Sequence, residues 1–535
     1  MVPGHLRPTV AIRPLAGGGE GPPLPWRLVL QGSDDAPPVE GRGRSVLDVV
    51  SASLPGRWLL LFVALYPLVA VWSLTNPMFA SPDENLHMVR AQSIAHGDFS
   101  RPYTTDGLPV DAVECFSFQP EVPADCMVLE WGRDGAQAKA PMEGYPPLFH
   151  SVAAIPAIVF SGLDGAYIMR LWLGAVVVAL AAWAGAIASR RGSGPWPLAG
   201  CFLAMTPMAV FTMSTVNPSG MSVAAAILVT TAVVTAYRAG SERHLWVAAA
   251  VGAAVLALTR RDGLAWLLVI ALVLAPLAPW RALGDQLRGR SRRWWGTIAA
   301  FVAGLVVVSV VWGRTTFDRF YANWRDGGGE NWWEVSRYIK AYLYQAVGVF
   351  GWLDAPIGDE AYLVAMIVAG GVVLLGLVGH DRRLAWSTAA GVALLLVTPV
   401  LFGMVRFPYL QGRYLLPVWA ATLVVAGAAV GRTRLDRTLS TRLVSLVLAL
   451  WLVVHGVAIV QNLRRYAVGR SGSWNFVFEA AWHPPKMSNL VAVVAMVIAL
   501  AILGALAGVV FRAACRPAAP DDQPHQGSPE IADAG

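Results

Sequence analysis

Charge is scarce in this chain: of 535 residues, 14% are Asp, Glu, Lys or Arg and 56% are hydrophobic. A soluble protein of this length carries nearer a quarter charged residues, so a mean hydropathy of +0.53 excludes that class. Lysine is almost missing, with only Lys139, Lys340 and Lys486, so the basic charge is arginine, the usage of a GC-rich bacterial genome. Cysteine is limited to four residues. Cys201 in an apolar run and Cys515 at a span end read as plain thiols. Cys115 and Cys126 share one loop and are a disulfide candidate in an oxidising compartment; without a nearby histidine they do not suit zinc. Also missing are a Gly-rich phosphate loop, a Walker motif, His-Glu-x-x-His and Gly-x-Ser-x-Gly, which leaves ATP-driven transport and zinc or serine hydrolysis without support. No basic stripe interleaved with aromatics occurs, so the net charge of +7 points to arginine-rich cytoplasmic loops and not to nucleic acid.

What is present is a series of apolar runs close to the ~20 residues that cross a bilayer. They lie at 58–75, 168–188, 196–213, 218–238, 245–259, 263–279, 295–313, 360–378, 384–402, 413–430, 441–461 and 489–511. The expected fold is therefore an all-α polytopic membrane protein with about 12 transmembrane helices, in the range 11–13. Residues 1–57 and 512–535, rich in Pro, Gly and polar residues and without an early apolar signal core, read as disordered cytoplasmic tails around a membrane domain at 58–511. With both termini inside, Arg190-Arg191, Arg238/Arg243, Arg281 to Arg293, Arg382-Arg383 and Arg432 to Arg442 fall on the cytoplasmic side. Counting 147–162 as a span would invert this pattern, so that stretch reads as a juxtamembrane or re-entrant helix. The large first extracytoplasmic loop is then 76–167, with further outer loops at 314–359 and 462–488.

The unusual polar residues gather on that outer side. Asp83 and Glu84 follow the first span, and ionisable clusters near lipid are functional candidates by default. A competing structural reading makes Ser81 an N-cap, Pro82 the first helical residue and Glu84 the partner in a capping box. On a helix from Pro82, Asp83, His87 and Arg90 share a face; Asp83 suits a general base, and Glu84 beside it can orient an acceptor or help bind a divalent cation, magnesium or manganese. No other cofactor is indicated. Tyr145, Arg170 and Asn217 come next. Arg260-Arg261-Asp262 sets two guanidinium groups at a bilayer boundary against the positive-inside trend, an arrangement suited to phosphate. Trp352 and Asp354 close one outer loop, and Gln411, Arg413 and Tyr414 open the tenth span. These are the candidate substrate-binding residues.

The order Ser-Pro-Asp-Glu-Asn-Leu-His at 81–87, Tyr-Pro-Pro-Leu at 145–148, Pro-Met-Ala-Val-Phe through Val-Asn-Pro at 207–218, Phe-Gly-Trp-Leu-Asp at 350–354 and Gln-Gly-Arg-Tyr-Leu-Leu-Pro at 411–417 resembles the bacterial membrane-protein family known as domain of unknown function 2142. That family in turn resembles the GT-C glycosyltransferases, related to protein mannosyltransferases. The resemblance implies a GT-C-like fold with juxtamembrane helices in the first outer loop, and a polyprenyl-phosphate-linked sugar as donor. It implies an acidic motif in that loop holding the catalytic base, at Asp83, and a basic residue on the donor phosphate, at Arg260 or Arg261. The expected reaction is transfer with inversion to a cell-envelope glycan, lipid or protein at the extracytoplasmic face of the bacterial inner membrane. A non-catalytic flippase of lipid-linked glycans is the alternative, and a scaffold subunit of an envelope machine a third reading. A flippase would distribute polar residues through the depth of the spans, whereas here mid-span positions are overwhelmingly Ala, Val, Leu and Gly.

Overall fold

The computed structural model describes residues 46–99, 103–131, 137–140, 142, 144–278, 292, 296–297, 299–300, 302–304, 306–307, 336, 338–404, 411–433 and 435–517. A short helix, α1 (Val46–Val50), precedes α2 (Leu54–Thr75). Ser53 caps α2 by accepting from the Gly56 amide, and its 22 residues reach about 33 Å at the helical rise, enough for a hydrocarbon core of roughly 30 Å. Then follow α3 (Glu84–Ala95), α4 (Pro147–Ala157), α5 (Gly162–Ala188), α6 (Trp196–Ala204), α7 (Pro207–Met213), α8 (Pro218–Ala239), α9 (Arg243–Thr259) and α10 (Gly263–Leu274). After the segment that includes the expected span at 295–313, most of which lies outside the described residues, come α11 (Ile339–Gly348), α12 (Asp359–Leu377), α13 (Arg382–Met404), α14 (Leu416–Val430), α15 (Arg437–Val468) and α16 (Asn489–Ala514). Among the described residues, eight helices are long and apolar enough to cross a membrane, or nine if one bent pair counts as a span. The chain is thus a mostly helical, multi-pass membrane protein.

Three expectations change. The run at 196–213 is not one rod: α6 and α7 meet at 66°. Pro207 removes an amide from any continuous helix, while the Thr206 hydroxyl caps the new one by accepting from the Ala209 amide at 3.1 Å. The apolar runs at 245–259 and 263–279 form shorter helices, α9 and α10. The part of the expected N-terminal tail that is described is structured: α1 and the first turn of α2 are helical and Arg57 is buried, donating through Nε to the Ala186 carbonyl at 3.2 Å, while residues 1–45 lie outside the described residues. At the other end α16 runs to Ala514, past residue 512.

Without a hydrophobic drive between helices in lipid, close approach relies on small residues. Gly200 on α6 faces Gly427 on α14; a Cβ at Gly200 would lie 2.6 Å from the Leu423 carbonyl oxygen. This makes α14 a central helix: 94% of the residues in the most apolar window of 412–430 are buried. Between α2 and α5, residues 76–161 build a cap of α3, α4, an antiparallel pair β1 (Tyr103–Asp106) and β2 (Gln137–Ala140), and a turn joined by the Cys115–Cys126 disulfide. Arg465, near the end of α15, clamps this turn to the bundle: its guanidinium donates to the carbonyls of Phe116, Gln119 and Val122 and to Asp354 Oδ2 at 2.6 Å.

Candidate active site at the capped end of the bundle

Everything at this site depends on the turn before α3. The helix starts at Glu84, and Asp83 sits at the cap position in the left-handed region, φ 67°, with no side-chain capping bond. The capping box expected from Ser81 and Glu84 does not form. The turn is instead held by residues far away in sequence. Asn217, the cap of α8, donates through Nδ2 to Ser81 Oγ at 3.0 Å and to the Pro82 carbonyl at 3.3 Å. Arg413 Nη1 reaches the same carbonyl at 3.3 Å, and Trp352 Nε1 donates to the Phe79 carbonyl at 3.1 Å. Of the five non-glycine residues with positive φ among the described residues, Phe79 and Asp83 flank this turn, Leu353 follows Trp352, and Phe118, in the disulfide-joined turn, packs its ring on Trp352. Strained backbone concentrates at functional sites because the surrounding structure must over-determine it.

The turn sends the two neighbouring carboxylates in different directions. Asp83 points to the open side, with its side chain 38% exposed, and Oδ2 accepts from Arg413 Nη2 at 2.9 Å. Oδ1 has no partner among the described residues. Glu84 points into the protein and is fully buried with Arg170; Oε1 accepts from Arg170 Nε at 2.7 Å and from the Val216 amide at 2.9 Å, Oε2 from Arg170 Nη2 at 2.6 Å. Arg170 also donates to the carbonyls of Ser73, Asn76 and Pro77. Glu84 and Arg170 are therefore an internal brace, and the two neighbouring carboxylates, for which a shared cation site is one of the readings, point apart. Among the described residues no cluster of three or more His, Cys, Asp or Glu is arranged to hold a metal.

Around Asp83 the cations converge. Arg260 is buried, with Nε on Asp262 Oδ1 at 2.7 Å, Nη2 on Oδ2 at 3.0 Å and Nη1 on Ser219 Oγ at 2.8 Å. Its guanidinium lies 4.5 Å from the Tyr414 ring centre, and that of Arg413 lies 5.3 Å from the same ring. Arg261, exposed, lies 5.9 Å from the Tyr145 ring. Burial works against ionising Asp262, but the Arg260 guanidinium outweighs it and holds the carboxyl below its usual range. Burial raises Tyr145, with Arg260 opposing, so its hydroxyl stays protonated. The site therefore presents three guanidinium groups against two carboxylates, with two tyrosine rings between them.

His87 and Arg90 do not face the opening. His87 Nδ1 is 3.0 Å from His150 Nε2, both rings fully buried beside Tyr145 and Phe149. Burial first, and then the nearby arginines, keep both imidazoles far below their usual pKa, so both are neutral. Arg90 donates to the Met142 carbonyl at 2.7 Å and stacks on Tyr103. Asp354 is the buried partner of Arg465, and Gln411 stands at the cap position of the short 3₁₀ turn Gly412–Leu415, with no capping bond from its side chain. The structure thus brings Asp83, Tyr145, Arg260, Arg261, Asp262, Arg413 and Tyr414 together, and makes supports of Glu84, His87, Arg90, Arg170, Asn217, Trp352, Asp354 and Gln411. Sequence reasoning missed Arg465 and His150. Arg464-Arg465, at the end of an apolar run that the sequence reading places outside, carries the same signal that singles out Arg260.

Two expected results follow locally. The Gly412 amide donates to Gln345 Oε1 at 2.7 Å, and a Cβ there would lie 2.2 Å from the Tyr342 carbonyl oxygen. Gly412→Ala should push α11 away from the 3₁₀ turn, shift Arg413 off Asp83, and cost about 1–3 kcal/mol as overpacking; a melting curve matching wild type would contradict this. For the two neutral histidines, the folded pKa lies below the unfolded value of about 6.5. The unfolded chain therefore binds more protons at lower pH. Stability is complete above pH ~6.5 and falls below it, by roughly 1 kcal/mol per histidine per pH unit. The melting temperature of the purified protein should drop between pH 7 and 5.5, and less so in His150→Gln.

A family model described as "Predicted membrane protein (DUF2142)" matches residues 66–422. No curated protein matches. Among solved structures, ArnT from Cupriavidus metallidurans bound to undecaprenyl phosphate is similar with a TM-score of 0.42 and 16% identity, over 85% of this chain and 77% of that one. The apo state of the same protein gives 0.41 and 17%, over 86% and 78%.

Proposed function

The chain belongs to the DUF2142 family of predicted membrane proteins, and from that premise and the site geometry we propose that it is a membrane glycosyltransferase. The donor is a polyprenyl-phosphate-linked sugar, and the acceptor is a cell-envelope glycan, lipid or protein on the extracytoplasmic face of a bacterial inner membrane. The observation that carries this reading is Asp83: its side chain is partly exposed, one carboxylate oxygen is held by Arg413, and Arg260 and Arg261 lie against the neighbouring Tyr414 and Tyr145 rings.

In the proposed step Asp83 Oδ1 takes the proton of an acceptor hydroxyl. The hydroxyl oxygen attacks the anomeric carbon from the face opposite the phosphate, the bond from that carbon to the phosphate oxygen breaks, and configuration inverts. Polyprenyl phosphate leaves carrying the electron pair, and Arg260, Arg261 and Arg413 compensate the charge that develops on it. Preorganised groups of this kind are usually the largest catalytic term. Asp262 and Ser219 hold Arg260 so that it need not reorganise, and the tyrosine rings give the sugar two flat walls. No nucleotide-binding loop is required, because the leaving group is itself a stabilised anion.

The test is transfer by membranes containing the full chain, supplied with a panel of radiolabelled polyprenyl-phosphate sugars. Label appearing on an acceptor, with release of free polyprenyl phosphate, is the expected result. Label that crosses sealed vesicles without any new glycosidic bond would overturn the proposal in favour of a flippase.

A further inference from the structure

A second site lies at the other end of the bundle. Helix α15 runs from Arg437 at that end to Arg465 beneath the cap, and its first half does not close against α2, α6 and α16. The gap is a cavity of about 520 Å³, walled by Leu68, Phe202, Val444, Leu448, Leu503 and Phe511. Ligand pockets typically span ~300–1,000 Å³. The cavity follows α15 from Thr441 to His455 and α16 from Leu503 to Cys515, roughly 20 Å by helical rise. One leaflet's hydrocarbon is about 15 Å deep, half of ~30 Å. A hollow of about 280 Å³ adjoins it, sharing Pro195, Thr441 and Cys515, and is lined in part by Arg437, Ser440 and Arg516; Arg512 lines the larger cavity.

The charge at the mouth is not balanced from within. Asp48 pairs with Arg516, and Asp436 caps α15 by accepting from the Thr438 and Leu439 amides. Among the described residues Arg437 and Arg512 have no carboxylate partner. An apolar slot one leaflet deep, entered past two uncompensated guanidinium groups, has the shape and polarity of a single amphiphile. We propose that this cavity holds one anionic membrane lipid, with an acyl chain in the slot and its phosphate between Arg437 and Arg512. Arginine presents its fork to phosphate oxygens, whereas a zwitterionic headgroup brings no net charge to compensate the pair. The site stands apart from the Asp83 chemistry and does not depend on it.

The experiment is native mass spectrometry of the purified full chain after incubation with phosphatidylglycerol or with phosphatidylcholine of the same acyl chains. Phosphatidylglycerol should be retained at least ten-fold better, and the double variant Arg437→Gln/Arg512→Gln should fall to the phosphatidylcholine level. Gly504→Leu should reduce retention of both lipids, since a Cβ at Gly504 meets nothing closer than Leu452 Cδ1 at 3.4 Å and the added side chain has the slot to fill. Equal retention of the two lipids, or undiminished retention in the arginine double variant, would overturn the proposal. So would displacement of phosphatidylglycerol by inorganic phosphate alone, which would place binding in the outer hollow without the chain. Should Gly504→Leu fail to fold, the arginine pair, at exposed positions, carries the test.

Discussion

Asp83→Asn should lower sugar transfer by about 10²- to 10⁴-fold, the range a positioned general base contributes, while the protein folds and melts like wild type. The substitution suits this position. Asparagine tolerates the left-handed conformation at least as well as aspartate, so the φ of 67° remains accessible. The amide oxygen can still accept from Arg413 Nη2, which keeps the turn's contact with the 3₁₀ turn that leads into α14. What disappears is an oxygen able to take the acceptor's proton. The ion pair itself is partly exposed on the Asp83 side, so its stability contribution is no more than about 1 kcal/mol. Transfer rates and melting temperatures measured on the same membrane preparations separate the two effects. A mutant that transfers sugar within a few-fold of wild type would remove Asp83 from the chemistry.

The opposite pattern is expected one residue later. Glu84→Ala should destabilise the protein by about 3–5 kcal/mol, because it leaves the Arg170 cation buried without its carboxylate. Loss of the chain from membranes, or a large drop in melting temperature, is the expected outcome. Arg170→Ala should cost at least as much, since it also strips a donor from the carbonyls of Ser73, Asn76 and Pro77. The double variant should lose less than the sum of the two single losses, the coupling expected of a contacting pair, yet it should not recover fully because those carbonyls stay unpaired. If Glu84→Ala instead melted normally and only transfer were lost, Glu84 would have the chemical role that its position beside Asp83 first suggested.

That pair shows where sequence reasoning stopped. The spans were legible because apolar length is a local property: the run at 218–238 is α8 at Pro218–Ala239, and 489–511 is α16 at Asn489–Ala514. Cap residues Asn217 and Ser488 even mark their starts. The break at Thr206-Pro207 was also written locally, as a cap followed by a proline, but an unbroken apolar run hid it. The arginines at 260 and 261 stand out because they oppose the charge trend along the chain, and Arg413 because it adds a third cation at the start of a span beside Gly412. Which carboxylate each one meets was not legible. The capping-box pattern at Ser81 to Glu84 is a legitimate helix start, and it loses because Asn217 and Arg413 hold the Pro82 carbonyl from outside. Asp83 and Glu84 then diverge through one left-handed residue, a conformation that no spacing rule reveals.

The turn that aims Asp83 has a further consequence, one of timing. The two side chains that hold its Pro82 carbonyl lie 135 and 331 residues further along the chain. At about 5–20 residues per second of synthesis, the last of them arrives roughly 15–65 s after Asp83 itself has been made. During that interval the growing chain already has its first spans in the membrane and its carboxylate at the surface, but the carboxylate is not yet aimed. On the proposed function, competence would be acquired late, when the segment carrying Arg413 docks, and a chain that stalls or is cut before residue 413 would be inactive.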